Sequence, residues 1–331
     1  MGTNRNQEGV FCISLDFELH WGTFETVLLN EKGKKRFENT RKSIPIVLSL
    51  FEEFQIQATW ASVGMLFNQN VSEWNASIPA TVPSYTNKQV SSYEWVNQHG
   101  FSGDQDPYHF APHLVELIAS YPLMEVGTHT YSHFYCQESG QTVSDFKADL
   151  EMAIHKANLK NLPIRSLVFP RNQFNSAYLD VCKNMGITAV RSNPDIWFWD
   201  AYRPETLMKK IFRSADTLLP VDWDTSVPLA SLDVEQIPLQ IPASRFLKPW
   251  HPNRLVNTMK LERVKNEMTH AAQNNALYHL WWHPHNFGTN PDECIADLRR
   301  LMLHFKELQS NYGMLSLHMN GIRNHLLELQ S

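Results

Sequence analysis

The feature that most constrains this 331-residue chain is a rhythm: a short apolar run followed by an amphipathic stretch, repeated about seven times. Residues 10–17 predict a buried strand, and 41–54 follow with Ile44, Val47, Leu48 and Phe51 at helical spacing. Further strands are predicted at 56–63, 123–126, 166–169, 188–191, 238–247, 277–282 and 314–317. Helices are predicted at 142–158, with Thr142 and Asp145 as a capping box, at 177–185 closed by Gly186, and at 255–272. Asn290, Pro291, Asp292 and Glu293 open another in the order cap, first helical residue, acidic first turn, and a last helix ends the chain. Such alternation predicts an α/β fold with a parallel sheet, and the count fits a closed or distorted barrel.

The rhythm breaks twice. Residues 68–110 are polar but carry Trp74, Tyr85, Tyr93 and Trp95, and 193–234 hold Trp197, Phe198, Trp199 and Trp223. Both read as long loops inserted into a single domain spanning 1–331, covering one end of the barrel.

Composition narrows the function. Apolar residues make up 43%, which excludes a disordered or fibrous chain. The 29 basic and 34 acidic residues are well mixed, with a net charge of −5, so no nucleic-acid footprint is visible. No apolar run approaches the roughly 18 residues of a membrane-spanning helix. Cys12, Cys136, Cys182 and Cys294 stand alone, and no apolar leader opens the sequence, so the expected location is the cytoplasm. Nothing in the sequence sets an oligomeric state. The 15 histidines add weight to metal or acid–base chemistry. Dinucleotide, P-loop, serine-hydrolase and HExxH motifs are all absent.

Four segments carry candidate chemistry. In Ser14-Leu15-Asp16-Phe17-Glu18, alternate side chains share a strand face, so Asp16 and Glu18 point the same way at the strand's C-terminal mouth. Buried there, they need a compensating cation; otherwise they simply begin a solvated loop. His129-Thr130-Tyr131-Ser132-His133 follows the third strand, and two imidazoles four apart on one helical turn can share an ion. Chance alone gives roughly 0.7 such pairs at this histidine content. Three occur (His109/His113, His129/His133, His279/His283), and position beyond a strand end favours the second. The strand bearing Leu280 and Trp282 delivers His283 and His285 to the same end as Asp16, and Phe169-Pro170-Arg171-Asn172 leaves another strand end. Each signal has an ordinary structural reading, but together they converge on the C-terminal ends of parallel strands, where such sheets build their sites.

This order and content resemble the polysaccharide deacetylase family, the family-4 carbohydrate esterases. The most specific element is His129-Thr130-Tyr131-Ser132-His133, which matches the family's H-[ST]-x-x-H metal motif, and the resemblance runs from about residue 10 to 320. Asp16 and Glu18 match a D-x-D/E variant of the first motif, with Phe17 where a second aspartate usually stands. Pro170-Arg171 approximates an Arg-Pro segment in reverse, and Asn193-Pro194-Asp195-Ile196-Trp197 a D-x-x-D-W segment. The resemblance implies a distorted (β/α)7-type barrel and one divalent ion, zinc or another first-row metal. Glu18, His129 and His133 would be its ligands, Asp16 the base or itself a ligand, and Arg171 the cation that orients Asp16. His283 or His285 would be the acid that protonates the leaving amine. Trp21, Tyr131, Asn172 and Trp282 are candidate substrate contacts, as are Trp197 and Trp199.

The implied reaction is removal of an N-acyl group, acetyl first, from a sugar, nucleotide sugar or glycan precursor of surface-polysaccharide synthesis. Hydrolysis of a small linear or cyclic amide such as a ureide is the alternative within the same chemistry. A two-carboxylate glycosidase and a non-catalytic carbohydrate-binding barrel are the alternatives outside it.

Overall fold

A computed structural model describes residues 8–193 and 225–330. Among these residues ten strands form one sheet: β1 Val10–Phe17, β2 Ala58–Ser62, β3 Met124–Thr128, β4 Ser166–Leu167, β5 Ala189–Ser192, β6 Val227–Pro228, β7 Leu239–Pro242, β8 Arg245–Phe246, β9 Ala276–Trp282 and β10 Leu315–Ser316. Parallel pairing runs β9–β1–β2–β3–β4–β5–β7. The predicted strand at 238–247 closes the circle in two pieces: β7 pairs with β5, and β8, two residues later, pairs with β9. Between them Ala243 N–H donates to the Ser192 carbonyl and Ser244 N–H to that of His279. Seven parallel positions therefore surround the interior, and the (β/α)7-type barrel is borne out. β6 lies antiparallel on β9, and β10 extends β1 at its N-terminal end.

Every residue of β1 is buried, as expected of a strand with helices on one face and a filled barrel on the other. Leu15 and Phe17 join the large core between sheet and helices, while Ser14 and Asp16 face inward. The helix after β1 runs Glu31–Glu53, ten residues longer at its start than its apolar stripe predicted. Asn30 caps it by accepting from Gly33 N–H, and residues 31–40 bury only Gly33, Phe37 and Thr40, a single large apolar side chain and too little to register as periodicity. The helix Val143–Asn158 carries the predicted capping box, and Pro291–Tyr312 begins at the expected proline, although the Asn290 side chain makes no capping bond.

At the end of the barrel opposite the strand C-termini, Glu125 of β3 is half-buried and accepts from Thr59 (2.6 Å) and Ser166 (2.7 Å), with His318 Nδ1 at 3.2 Å. The helix Met319–Gln330 docks there. The insertion at 68–110 is not one long loop: it holds the helices Val71–Ala76 and Ser92–His99 and buries Trp74, Tyr85 and Tyr93. Most of the second insertion, including Trp197, Phe198, Trp199, Trp223 and the 194–197 part of the D-x-x-D-W-like segment, lies outside the described residues.

Candidate metal centre and active site

Glu18 immediately follows β1, and Gly22 lies over its carboxylate: a Cβ at position 22 would fall 1.4 Å from Glu18 Oε2. Only a glycine leaves the carboxylate its place. Gly22→Ala should therefore displace Glu18 and weaken divalent-metal affinity by about tenfold or more, read by competition with a chelating dye. Unchanged affinity would show that Glu18 does not need this seat.

The two histidines of the H-T-Y-S-H segment reach the same carboxylate oxygen. Glu18 Oε1 lies 3.3 Å from His129 Nε2 and 3.6 Å from His133 Nε2, and all three side chains are buried. The segment is not the helical turn expected from its spacing. Thr130 and His133 are both left-handed, with φ of 62° and 60°, and Asp149 of the helix Val143–Asn158 holds the loop from below. Asp149 accepts from the backbone N–H groups of Tyr131 (2.6 Å) and Ser132 (3.0 Å) and from the Ser132 hydroxyl. Burial pushes its carboxyl up to about 6 despite those three donors.

The donor set fits a metal. His129 Nδ1 donates to the Val168 carbonyl (2.8 Å), so in the neutral ring the Nε2 lone pair is free to face Glu18. Ligand bonds of about 2.0–2.2 Å at tetrahedral angles place donor atoms about 3.3–3.6 Å apart, which the two Glu18–imidazole distances match. Burial alone would raise the Glu18 carboxyl, yet His283, His129 and His133 hold it well below the usual carboxylate range.

Asp16 faces the same space. Arg191 of β5 grips it with Nη1–Oδ1 and Nη2–Oδ2 both at 2.7 Å. Arg191 also donates to Ser14 Oγ and to Asn172 Oδ1, and its guanidinium lies 4.1 Å from the Trp281 ring centre. Burial would raise Asp16; Arg191, with His129 and His283 behind it, holds it below its ordinary value. His283 Nε2 sits 3.7 Å from Asp16 Oδ2 and 3.4 Å from Glu18 Oε1, on the pocket wall and partly exposed. His285 is buried behind, its Nδ1 3.9 Å from Glu18 Oε2 and its ring against Phe37.

The expected pairing of Arg171 with Asp16 is corrected. Arg171 and Asn172 are both left-handed (φ 56° and 51°), which turns Arg171 out to the pocket mouth. There it pairs with Glu25 (2.8 Å) and Glu138 (2.8 Å) and stacks on Tyr135 at 3.9 Å. Arg191 takes the interior position, and its signal was a charged residue inside a predicted buried strand. Three expected substrate contacts are likewise not on the pocket among the described residues. Trp21 donates to the His109 carbonyl (2.7 Å), Tyr131 OH accepts from Asn68, and Trp282 packs on Phe51 and Phe287. Strand alternation puts Trp281, opposite Ser14, into the barrel instead. Asn172 does line the pocket, whose volume is about 330 Å³.

Behind Arg191, Ser14 Oγ lies 2.9 Å from His279 Nε2. Burial, reinforced by Arg191, pushes His279 down to about 3, so it is neutral at pH 7. The unfolded chain takes up this proton near pH 6.5 and the folded one does not. Stability is therefore lost as pH falls from about 6.5 toward 3, by up to about 1.4 kcal/mol per pH unit. Denaturation midpoints at pH 7 and pH 5 should differ less in His279→Gln than in the parent; an identical difference would contradict this.

The fold and this site together define a class: a parallel α/β barrel that gathers one carboxylate and two imidazoles, capable of sharing a divalent ion, beside an arginine-held aspartate. The resemblance to the polysaccharide deacetylase family is borne out, since the model of that family, described as "Polysaccharide deacetylase", matches residues 31–190. The match takes in His129, His133 and Arg171 but ends before Arg191 and excludes β1 and β9. Among solved structures, a protein of Mycobacterium smegmatis assigned to the polysaccharide deacetylases superposes with TM-score 0.60 at 13% identity, covering 100% of this chain and 94% of that one. A second, from Pseudomonas aeruginosa, gives 0.58 at 10% identity over 96% and 91%. Puue allantoinase gives 0.56 at 10% identity over 97% and 91%. No curated protein matches the sequence.

Proposed function

We propose that this chain is a metal-dependent hydrolase that removes an N-acyl group, acetyl first, from a sugar, nucleotide sugar or glycan precursor of surface-polysaccharide synthesis. The observation that carries it is Glu18 Oε1 at 3.3 and 3.6 Å from two imidazole nitrogens, with Asp16 and His283 alongside. Glu18, His129 and His133 would hold the ion, zinc by default, which supplies Lewis acidity toward an acyl carbonyl and toward water.

The protein's own groups do the rest. Arg191 keeps Asp16 ionised and fixed, so that Asp16 can accept a proton from water at a lone pair the guanidinium leaves free. His283, on the pocket wall, is placed to protonate the departing nitrogen, a poor leaving group without that proton. His285, buried behind His283, is the less accessible of the two. Both Asp16 oxygens are engaged by Arg191, which favours Glu18 as the carboxylate ligand and Asp16 as the base.

The pocket volume favours one second reading. About 330 Å³ lies at the small end of ligand sites, enough for one sugar ring or for a small amide. A ureide-like substrate, of the kind the allantoinase's name denotes, would fit. The test is release of free amine from N-acetyl and N-formyl sugars and nucleotide sugars, with a ureide in the same panel, before and after chelation. Amine release from acylated sugars that stops on chelation and returns with zinc is the expected result. Release from the ureide alone selects the second reading, and turnover indifferent to chelator overturns both. A glycosidase or a binding barrel would also be indifferent to chelator.

A further inference from the structure

Beside the pocket lies a second, larger groove of about 710 Å³ that the proposed chemistry does not use. Thr26 lines both spaces. The groove's floor is the start of the helix Glu31–Glu53, and its far wall is the turn that follows His283. Arg36 Nε donates to the His285 carbonyl (3.0 Å) and Asn39 to that of Gly288 (2.9 Å), so the helix and this turn form one rigid trough.

Lys32, Lys35 and Arg36 line this groove, at i, i+3 and i+4 of one helix face. Among the described residues none of the three pairs with a carboxylate, and Arg36 uses only its Nε in hydrogen bonding. Like charges at this spacing repel one another by a few tenths of a kcal/mol each. Other surface cations, Lys160, Arg171 and Arg299 among them, meet glutamates, whereas no carboxylate lines this groove among the described residues. Two exposed lysines without a carboxylate partner, beside a half-buried Arg36 that also lies in the field of Glu18, point on a chain of net charge −5 to an anion from outside.

We infer that the groove binds a phosphate or diphosphate group carried by the substrate, while the acylated sugar occupies the adjoining pocket. This rests on the proposed N-deacylation and names its substrate class: a sugar esterified to phosphate. Lys32, Lys35 and Arg36 recognise the anion, and Thr26 stands at the junction where sugar and phosphate meet. The groove is about twice the volume of the pocket, leaving room for what the phosphate carries. That carrier would be a nucleoside or, along the exposed Leu28, a lipid chain.

Two measurements on the full chain test this, and they fail separately from the proposed reaction. In the first, inorganic pyrophosphate is titrated into chelator-treated protein, so that no active-site ion can hold it. Saturable, salt-sensitive binding is expected, weakened at least tenfold in Lys32→Gln/Lys35→Gln with an unchanged thermal transition. Absence of binding, or equal binding by the variant, overturns the groove even if deacylation is observed. In the second, amine release by the zinc-loaded protein is compared for N-acetylglucosamine and its 1-phosphate, nucleoside-diphosphate and isoprenyl-diphosphate esters. At least one ester should exceed the free sugar in kcat/KM by tenfold or more, and the variant should erase most of that ratio. The better of the two diphosphates identifies the carrier. Equal kcat/KM for free sugar and all esters overturns the proposal, whereas no release from any acylated sugar counts against the deacylation reading alone.

Discussion

Asp16→Asn should bind its metal as the parent does and turn over about a thousandfold more slowly. Asparagine keeps the shape of the side chain but cannot take a proton, and a positioned general base contributes on the order of 10²- to 10⁴-fold. The fold should survive, because Arg191 retains Asn172 and Ser14 as acceptors in addition to the amide oxygen at position 16. Metal content and single-turnover rate, measured on the same preparation, separate the roles. Metal lost together with turnover would make Asp16 a ligand, and an unchanged rate would remove it from the chemistry.

Arg191→Met should be the most destabilising single change at the site. Removing one partner of a buried ion pair typically costs about 3–5 kcal/mol, because the other charge is left without compensation. Asp16 is buried and would lose both guanidinium hydrogen bonds, with His283 at 3.7 Å left as its nearest basic side chain. Arg171→Met offers the contrast: its pairs with Glu25 and Glu138 lie at the solvent-facing mouth and should be worth about 1 kcal/mol or less. Urea unfolding of both variants at pH 7 checks the difference. Equal losses would contradict the assignment of Arg191 as the buried cation that holds Asp16.

That contrast also shows where sequence patterning works and where it stops. The barrel was legible because parallel strands buried on both faces read as continuous apolar runs, and β1 is buried along its whole length. The closing strand was faint because it is split at Ala243-Ser244 into two short pieces serving different neighbours. Asp16, Glu18, His129, His133 and His283 are legible as candidates because each lies at or a few residues beyond the end of a strand that the pattern locates. Arg171 drew attention for the same reason, but two consecutive left-handed residues, invisible to hydropathy, turn it outward. Arg191 ends the strand predicted at 188–191, where a charge beside Val190 demands a buried partner. Period-two alternation sends His279 and Trp281 inward and Trp282 to the helix side, so Trp282 is not the substrate contact expected of it. The Asp149 support leaves no local trace at all, being 17 residues from Ser132 on a different element.

The central claim is that Glu18, His129 and His133 share one divalent ion. Its most direct test is zinc stoichiometry by elemental analysis after dialysis against metal-buffered solution, for the parent chain and for His129→Ala, His133→Ala and Glu18→Gln. One equivalent in the parent and a marked loss in all three variants, each still folded by circular dichroism, is the result expected. Stoichiometric zinc in folded His129→Ala and Glu18→Gln, or none in the parent, would contradict it.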